Sequence, residues 1–491
     1  MSSLKAKVVL NMPILLGILT SFLYVRFPLQ SDDPYFYFMN IYMAKGNFLE
    51  LINYSIAEGF SQGHSNFIGA ILTNGIGFFH YKVSSSLNSP PWIALGLLRA
   101  SMLTTTFFLL IKLYKQLFKK DDVRIRLILY FVFFGTLQIH SPWSHDYAVS
   151  IPAAGLLTPL NMIFQLILIL KIESGEKRKY HWILLYVNSL FSVFTYEIHL
   201  ITALLPIFFY AFNVIVMKNR IKANLNLVYV TVTSIVTWIV IRSLFSQNEI
   251  NYAGTQFAPL RDILQTLKLT ILGTFPSAAW DLSELFISTK SFGFFPTILP
   301  TLFGCTFSVL LVQYFRLNFS KKSIFAAFIL IFLWIGSAIF HSISIKNAIE
   351  ISQLGMVYFS YGVGFVSISF AISVVLIWLS LNYYRSNLSK LTIPFLIFFG
   401  IVFFVLQNYI NLQLLNKQIH DYRTYETLIN STVKLDLNET KRCQLFFDWK
   451  PNYDYNTDYQ NNYYVRHILK GLDEITMREQ KEVYCSLLYN S

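Results

Sequence analysis

The sequence predicts an all-α polytopic membrane protein with about eleven transmembrane helices, since each needs about 20 apolar residues. Apolar residues make up 54% of the 491-residue chain and charged residues 13%, whereas soluble domains carry about 25% charged residues. The apolar residues fall into runs near 8–25, 92–113, 126–141, 152–170, 182–196, 199–217, 226–245, 294–315, 323–342, 360–382 and 391–411. We number these runs as spans one to eleven. Together the observations exclude a soluble globular domain.

The distribution of Lys and Arg predicts the orientation of these spans. With the N-terminus inside, the short inner loops hold about half of the 39 Lys and Arg residues, for example Lys112, Lys115, Lys119 and Lys120. The longer outer loops hold few of them. This is the positive-inside pattern. The N-terminal residues precede an apolar run without a small-residue cleavage site, which favours an uncleaved first span over a signal peptide.

The orientation divides the chain into two predicted domains. Residues 1–411 form a transmembrane module with a long first outer loop at about 26–91 and a second at about 246–293. Residues 412–491 form a polar tail that also lies outside. In the first loop, 35–48 and 49–60 have a helical pattern, and 66–79 is apolar enough to lie in the membrane interface or re-enter it.

The net charge of +13 is explained by this topology. Basic residues beside the inner ends of spans meet anionic lipid and set orientation. We therefore expect no nucleic-acid partner.

The stretch Ser31-Asp32-Asp33-Pro34 follows span one, where the chain reaches the outer face. Two adjacent carboxylates repel each other and are costly in poorly solvated surroundings. The proline disfavours a helical conformation for the residue before it. We interpret Asp32 and Asp33 as a catalytic pair at the outer face, and an ordinary Asx-Pro turn is the alternative.

Further polar residues recur at the predicted outer ends of the spans. They are Asp146 between spans three and four, Glu197 and His199 between spans five and six, Asp281 and Glu284 in the second loop, and His341, Lys346 and Glu350 after span nine. Each alone is typical of a helix cap or a satisfied interfacial group. Their recurrence at one face predicts a site there, with Asp146 and Glu197 as secondary acidic candidates.

Arg99 lies inside span two, near the outer third of the bilayer, and Arg242 lies near the outer end of span seven. An arginine at such a depth either snorkels to the surface or holds a lipid phosphate by a bidentate hydrogen bond. We name Arg99, Arg242, His199 and Lys346 as candidate phosphate ligands.

Three cysteines are present, Cys305 in an apolar run and Cys443 and Cys485 in the tail. They do not form a metal-binding pattern such as Cys-x-x-Cys. In an oxidising compartment we expect a disulfide between Cys443 and Cys485. The sequence has no Walker loop, Gly-rich dinucleotide turn or His-Glu-x-x-His motif. This argues against nucleotide-driven chemistry and favours a substrate already in the membrane.

The acidic pair after the first span, the Tyr196-Glu197 turn and the layout of spans and tail resemble the GT-C superfamily of membrane glycosyltransferases. Within it, the chain is most similar to the bacterial and prophage O-antigen glucosyltransferases that convert serotype. The order of spans and outer loops is similar over the whole chain, whereas only a few specific residues match a motif.

The resemblance implies a polyprenyl-phosphate sugar donor such as undecaprenyl phosphate glucose, bound among the helices, and an O-antigen (lipopolysaccharide) acceptor. Asp32 or Asp33 would be the general base in an inverting displacement, and some relatives use a divalent metal near such a pair. It also implies the bacterial inner membrane, with a cytoplasmic N-terminus and a periplasmic C-terminal domain.

Two other functions are compatible with the same layout. An O-antigen polymerase also has many spans and a large outer loop, but such enzymes depend on outer-loop arginines, and the outer loops here contain few. A lipid-sugar flippase or transporter is a third hypothesis. It predicts charged residues and broken helices at the bilayer midplane, whereas the polar residues here lie at the rim.

Overall fold

The structure is a computed structural model. It describes residues 3–27, 47–61, 67–87, 91–119, 121–137, 139, 157–175, 179–196, 199–215, 224–245, 256–274, 321–354, 364, 367, 369, 371–373, 401–402, 404–405, 407–413, 415–416, 419, 437–449, 472–473, 476–477 and 482–486. About 90% of these residues are helical, and no strand occurs among them beyond an isolated bridge between Phe257 and Ser344. The predicted all-helical fold class is confirmed at this level.

Thirteen α-helices of more than nine residues lie in the described ranges. The first nine are α1 (Ser3–Leu23), α2 (Phe48–Ser61), α3 (Phe67–Leu87), α4 (Pro91–Phe118), α5 (Val123–Thr136), α6 (Leu157–Glu173), α7 (Lys179–Thr195), α8 (Leu200–Ile215) and α9 (Asn226–Phe245). The remaining four are α10 (Leu260–Gly273), α11 (Lys321–Ser342), α12 (Ile345–Leu354) and α13 (Glu439–Trp449).

Three helical segments in the described residues are long and apolar enough to cross a membrane: Val8–Arg26, Ile93–Phe118 and Asn226–Leu244. They correspond to predicted spans one, two and seven. The other helices that overlap predicted spans are shorter apolar segments or do not meet this criterion, so the count of about eleven spans stays a prediction. In the first outer loop, α2 and α3 cover the pieces expected near 49–60 and 66–79, whereas 35–46 lies outside the described residues.

Helix α1 packs against both α4 and α5. Gly17 of α1 lies against the ring of Phe107, and a Cβ atom at Gly96 would overlap the carbonyl oxygen of Val25. Glycine is therefore required at position 96 for the helix backbones to come this close. The two contacts also establish that α1 and α4 run antiparallel. The rings of Phe107, Tyr130 and Phe134 fill the space between the three helices.

Helices α6, α7 and α8 form a second packed group that joins the first through contacts between α4 and α6. Pro206 lies inside α8 and has no backbone N–H, so the carbonyl of Thr202 loses its usual helical donor. Gln165 Nε2 on α6 donates to that carbonyl at 2.9 Å. A polar side chain of a neighbouring helix thus replaces the hydrogen bond that the proline removes.

We call the end of the bundle near Phe27 the outer end and the end near Arg126 the inner end, following the predicted orientation. At the inner end, the buried Arg126 donates from Nε and Nη2 to the two carboxylate oxygens of Asp121, both at 2.8 Å. Its Nη1 donates to Leu10 O at 2.9 Å and Asn11 Oδ1 at 2.8 Å. One guanidinium therefore joins α1, α5 and the turn before α5.

Candidate functional site

Arg99 lies on α4 with only 1% of its surface exposed. The contacts of Gly17 with Phe107 and of Gly96 with Val25 place Arg99 level with the end of α1, near Tyr24. A snorkelling arginine keeps its charged head in water. Burial inside the helix bundle is therefore not the arrangement expected of a snorkelling side chain.

A network of uncharged polar groups closes the outer end beside the end of α1. The Tyr24 hydroxyl donates to Asn408 Oδ1 at 3.2 Å and accepts from Asn411 Nδ2 at 3.0 Å. Tyr24 and Asn411 are both buried. We call the group formed by Tyr24, Gln407, Asn408 and Asn411 the outer clamp.

The outer clamp also holds the chain that leaves α5. Asn411 Nδ2 donates to Leu137 O at 2.8 Å, and Asn411 Oδ1 accepts from Ile139 N at 3.1 Å and from Gln407 Nε2 at 3.2 Å. These bonds satisfy backbone groups that the end of α5 leaves without helical partners. The clamp therefore holds together the end of α1, the chain that follows α5 and the helical segment around Asn411.

The predicted tight turn between spans five and six is present between α7 and α8. His199 N donates to Tyr196 O at 2.9 Å, and the fully buried imidazole of His199 hydrogen-bonds Thr158 through Nε2. A Cβ atom at Gly69 of α3 would overlap the carbonyl oxygen of Thr195. The first outer loop thus packs directly on this turn.

Below this turn, uncharged polar side chains join α6 to α7. Gln165 Nε2 donates to Ser189 Oγ at 3.0 Å, and Asn188 Nδ2 donates to Gln165 Oε1 at 2.9 Å. Such bonds hold helices together within a membrane. These side chains hydrogen-bond one another and carry no charge. Their arrangement is typical of helix packing, whereas a transporter is expected to have charged residues along its substrate path.

The other two candidate cations lie elsewhere at the outer end. The guanidinium carbon of Arg242 lies 5.2 Å from the centre of the Trp238 ring, and Trp238 packs with the ends of α7 and α8. Lys346 is half-buried in the first turn of α12, two residues after the bridge residue Ser344. The four candidate phosphate ligands thus occupy three places: Arg99 on α4, His199 and Arg242 at the ends of α7 to α9, and Lys346 on α12.

The described part of the tail is organised around Arg442 and a disulfide. Cys443 and Cys485 form a disulfide with an S–S distance of 2.03 Å, as expected from the sequence. The buried Arg442 donates to the backbone oxygens of Leu437 and Tyr484 and to Glu482 Oε2 at 2.9 Å. Hydrogen bonds from the Ser486 side chain and from its backbone N–H hold the pKa of the Glu439 carboxyl below its usual value. The arrangement ties α13 to the last residues of the chain.

The predicted acidic residues Asp32, Asp33, Asp146 and Glu197 lie outside the described residues, as do Asp281 and Glu284. Within the described ranges, no three His, Cys, Asp or Glu side chains come together as metal ligands. The suggested divalent metal beside the acidic pair therefore stays a prediction.

Sequence reasoning did not find the outer clamp. The signal was present, because Gln407, Asn408 and Asn411 are amides at helical spacing in an otherwise apolar run. Their partners Tyr24 and Leu137 are hundreds of residues away, so only the tertiary structure identifies them. Comparisons of the chain with protein-family models, curated proteins and solved structures found no match.

Proposed function

We propose that this chain is a membrane glycosyltransferase that moves a sugar, glucose in the first instance, from a polyprenyl-phosphate donor to an O-antigen repeat. The reaction takes place at the outer face, which is the periplasmic face of a bacterial inner membrane. The proposal rests on the residues after the first span and on the resemblance to GT-C enzymes. The observation that best supports it is the burial of Arg99 at the level of the outer clamp.

The position of Arg99 matches a role in binding the donor phosphate. The donor's isoprenyl chain lies in the membrane, so its phosphate enters the protein near the outer ends of the helices. A buried guanidinium binds phosphate oxygens with two parallel hydrogen bonds in a site of low dielectric constant. The same cation stabilises the negative charge on the phosphate as it leaves.

The acidic pair can reach this region along the chain. Asp32 follows the buried Phe27 by five residues, and five residues of extended chain span at most about 18 Å. The outer clamp holds the preceding helix end through Tyr24. The catalytic loop in this proposal therefore starts from a fixed point level with Arg99.

The proposed chemistry is a single displacement at the anomeric carbon. An acceptor hydroxyl oxygen forms the new bond to this carbon while its proton passes to Asp32 or Asp33. The bond between the anomeric carbon and the phosphate oxygen breaks, and the polyprenyl phosphate leaves with the electron pair. The configuration at the anomeric carbon inverts. The protein needs one general base and a cation near the leaving phosphate.

Single asparagine variants test the proposed general base. Loss of a general base lowers the rate by about 10²–10⁴-fold, so Asp32→Asn or Asp33→Asn should abolish most transfer. The measurement is transfer of labelled glucose from synthetic polyprenyl phosphate glucose to lipopolysaccharide by protein in proteoliposomes. Retention of donor binding in the inactive variant separates catalysis from folding. Full activity of both variants would remove the pair from the mechanism and make Asp146 and Glu197 the next candidates.

Arg99→Gln tests the proposed phosphate contact. We expect weaker donor binding, seen as a higher KM for the polyprenyl-phosphate sugar, and a lower kcat because the leaving phosphate loses stabilisation. An Arg242→Gln variant tests the second candidate arginine in the same assay, since the Arg242 guanidinium lies over the Trp238 ring at a different place. Unchanged donor affinity in a folded Arg99→Gln protein would contradict the assignment.

The product distinguishes the proposed function from its alternatives. A glycosyltransferase adds single sugars to existing repeats, a polymerase joins whole repeats into longer chains, and a flippase moves lipid-linked sugar across the membrane without forming a bond. Analysis of O-antigen chain length and side-branch sugars in cells with and without this protein separates the first two. Lipid-linked sugar movement in vesicles without an acceptor identifies the third.

A further inference from the structure

Helix α10 in the second outer loop has its polar and apolar faces in an unusual arrangement. Its buried face carries threonines, Thr266 and Thr270, followed by Thr274 just beyond the helix. Phe257, Leu260 and Leu264 are instead 79%, 71% and 58% exposed. A helix on a soluble protein normally buries its apolar residues and exposes its polar ones.

Two of the three buried threonines satisfy their hydroxyl groups on their own helix, whereas the buried Thr266 Oγ1 makes no hydrogen bond to the described residues. Thr270 Oγ1 donates to Thr266 O at 2.8 Å, and Thr274 Oγ1 donates to Thr270 O at 2.9 Å. Small residues with internally satisfied hydroxyls are typical of helix contacts within a membrane. The Trp334 indole on α11 adds a bond to Thr274 Oγ1 at 3.3 Å.

The contacts with α11 define how α10 runs. At one end, Ala258 N donates to Ile343 O at 2.8 Å and Ile345 N donates to Gln256 O at 3.0 Å, just beyond the outer end of α11. At the other end, Thr274 contacts Trp334, about two to three helical turns along α11 toward the inner end. Helix α10 therefore follows α11 from its outer end toward the interior of the predicted span.

The exposed apolar residues form one stripe. Phe257, Leu260 and Leu264 are three and four residues apart, and the half-buried Leu267 and Ile271 continue the same row. Helical spacing of this kind places Leu260, Leu264, Leu267 and Ile271 on one side of α10, and Phe257 lies just before its first turn. The neighbouring α11 also exposes large apolar residues, namely Phe332, Ile335, Ile339 and Phe340.

We propose that the stripe of Phe257, Leu260 and Leu264 is buried in the acyl chains of the outer leaflet, so that α10 enters the membrane beside α11. Arg261 and Lys268 are exposed beside the stripe, and their long side chains can reach anionic headgroups. The exposed apolar surface continues onto α11, a predicted span whose own exposed side chains face acyl chains in the membrane. Lipid is therefore a better match than a second copy of the chain. This inference does not depend on the proposed catalytic activity.

Site-directed spin labelling tests the proposal in the full-length protein. Leu260→Cys and Leu264→Cys, each in a Cys305→Ala background that retains the tail disulfide, are labelled with a nitroxide and reconstituted in phosphatidylethanolamine–phosphatidylglycerol vesicles. Gln265→Cys on the exposed polar side is the matched control. We expect collision with oxygen relative to a water-soluble nickel chelate to be several-fold greater at positions 260 and 264 than at position 265.

Two results would overturn the proposal. Equal or greater collision with the nickel chelate at positions 260 and 264 would place the stripe in water. Spin–spin broadening at position 264 that disappears on dilution with unlabelled protein would identify a second copy as the partner. Because the two leucines are exposed, their replacement leaves the packing of α10 on α11 intact.

Discussion

The two ends of the group formed by α1, α4 and α5 are held together by different chemistry. At the inner end, Arg126 forms a bidentate ion pair with Asp121 and bonds two groups on α1. At the outer end, Tyr24, Asn408 and Asn411 connect the same helices with uncharged groups. The buried cation Arg99 lies level with this outer clamp.

Among the described residues, the bonds that join α1 to the chain after α5 at the outer end are neutral ones. Tyr24 and Asn411 achieve that with neutral hydrogen bonds, which have a lower desolvation cost than buried charges. These bonds join α1 to the chain after α5 without the guanidinium of Arg99. In the proposed function, the guanidinium of Arg99 is the cation that meets the donor phosphate at this end.

Breaking the inner ion pair should have the largest effect on stability. In Arg126→Met, Asp121 and the groups on α1 lose their guanidinium partner, and we expect a loss of about 3 kcal/mol. This is the lower end for a broken buried pair, because Lys115 remains 3.0 Å from Asp121. Unfolding by sodium dodecyl sulfate in mixed micelles measures the change.

Arg124→Met is the matched control for this experiment. Arg124 lies two residues before Arg126 and forms an ion pair with Asp122. The side chain of Arg124 is 69% exposed. Exposed pairs contribute less than about 1 kcal/mol. If the two variants lowered the free energy of unfolding equally, burial would not explain any difference in how much the two ion pairs stabilise the protein.

Breaking the outer clamp should have a smaller effect. Asn411→Leu keeps the approximate size of the side chain. It removes the amide that hydrogen-bonds Leu137 O and Ile139 N. We expect a loss of about 2 kcal/mol, since an unsatisfied buried polar group costs about 1–3 kcal/mol. Gln413→Leu replaces an exposed amide of the same segment and should change stability by less than about 0.5 kcal/mol.

The pH dependence of stability should differ between the two ends. Hydrogen bonds from Arg126, opposed in part by desolvation, hold the pKa of Asp121 below its usual value of 3.8. The stabilisation that the ionised Asp121 gives to the folded protein is complete above its usual pKa. It is lost as the pH falls through the lower pKa that Asp121 has in the folded protein. The stability difference between wild type and Asp121→Asn should therefore shrink below about pH 4. A difference that persists unchanged to pH 2 would show that the charge of Asp121 is not the stabilising feature.

Much of the helical layout follows from sequence patterns. The apolar runs predicted helices where α1, α4 and α9 occur, and the short polar interval at 196–199 predicted the turn between α7 and α8. Such patterns are local, since they arise from helical hydrogen bonding and hydropathy within one segment. The disulfide was expected from the compartment and from the presence of two cysteines in the tail.

The sequence by itself determined the helical membrane class and the positions of the acidic pair and of Arg99. Only the tertiary structure decided that Arg99 is buried level with Tyr24, that Asn411 bonds the end of α5, and that α10 turns its leucines outward. The physical reason is that hydropathy depends on neighbours in the chain, whereas burial and hydrogen-bond partners depend on helices brought together from distant parts of it.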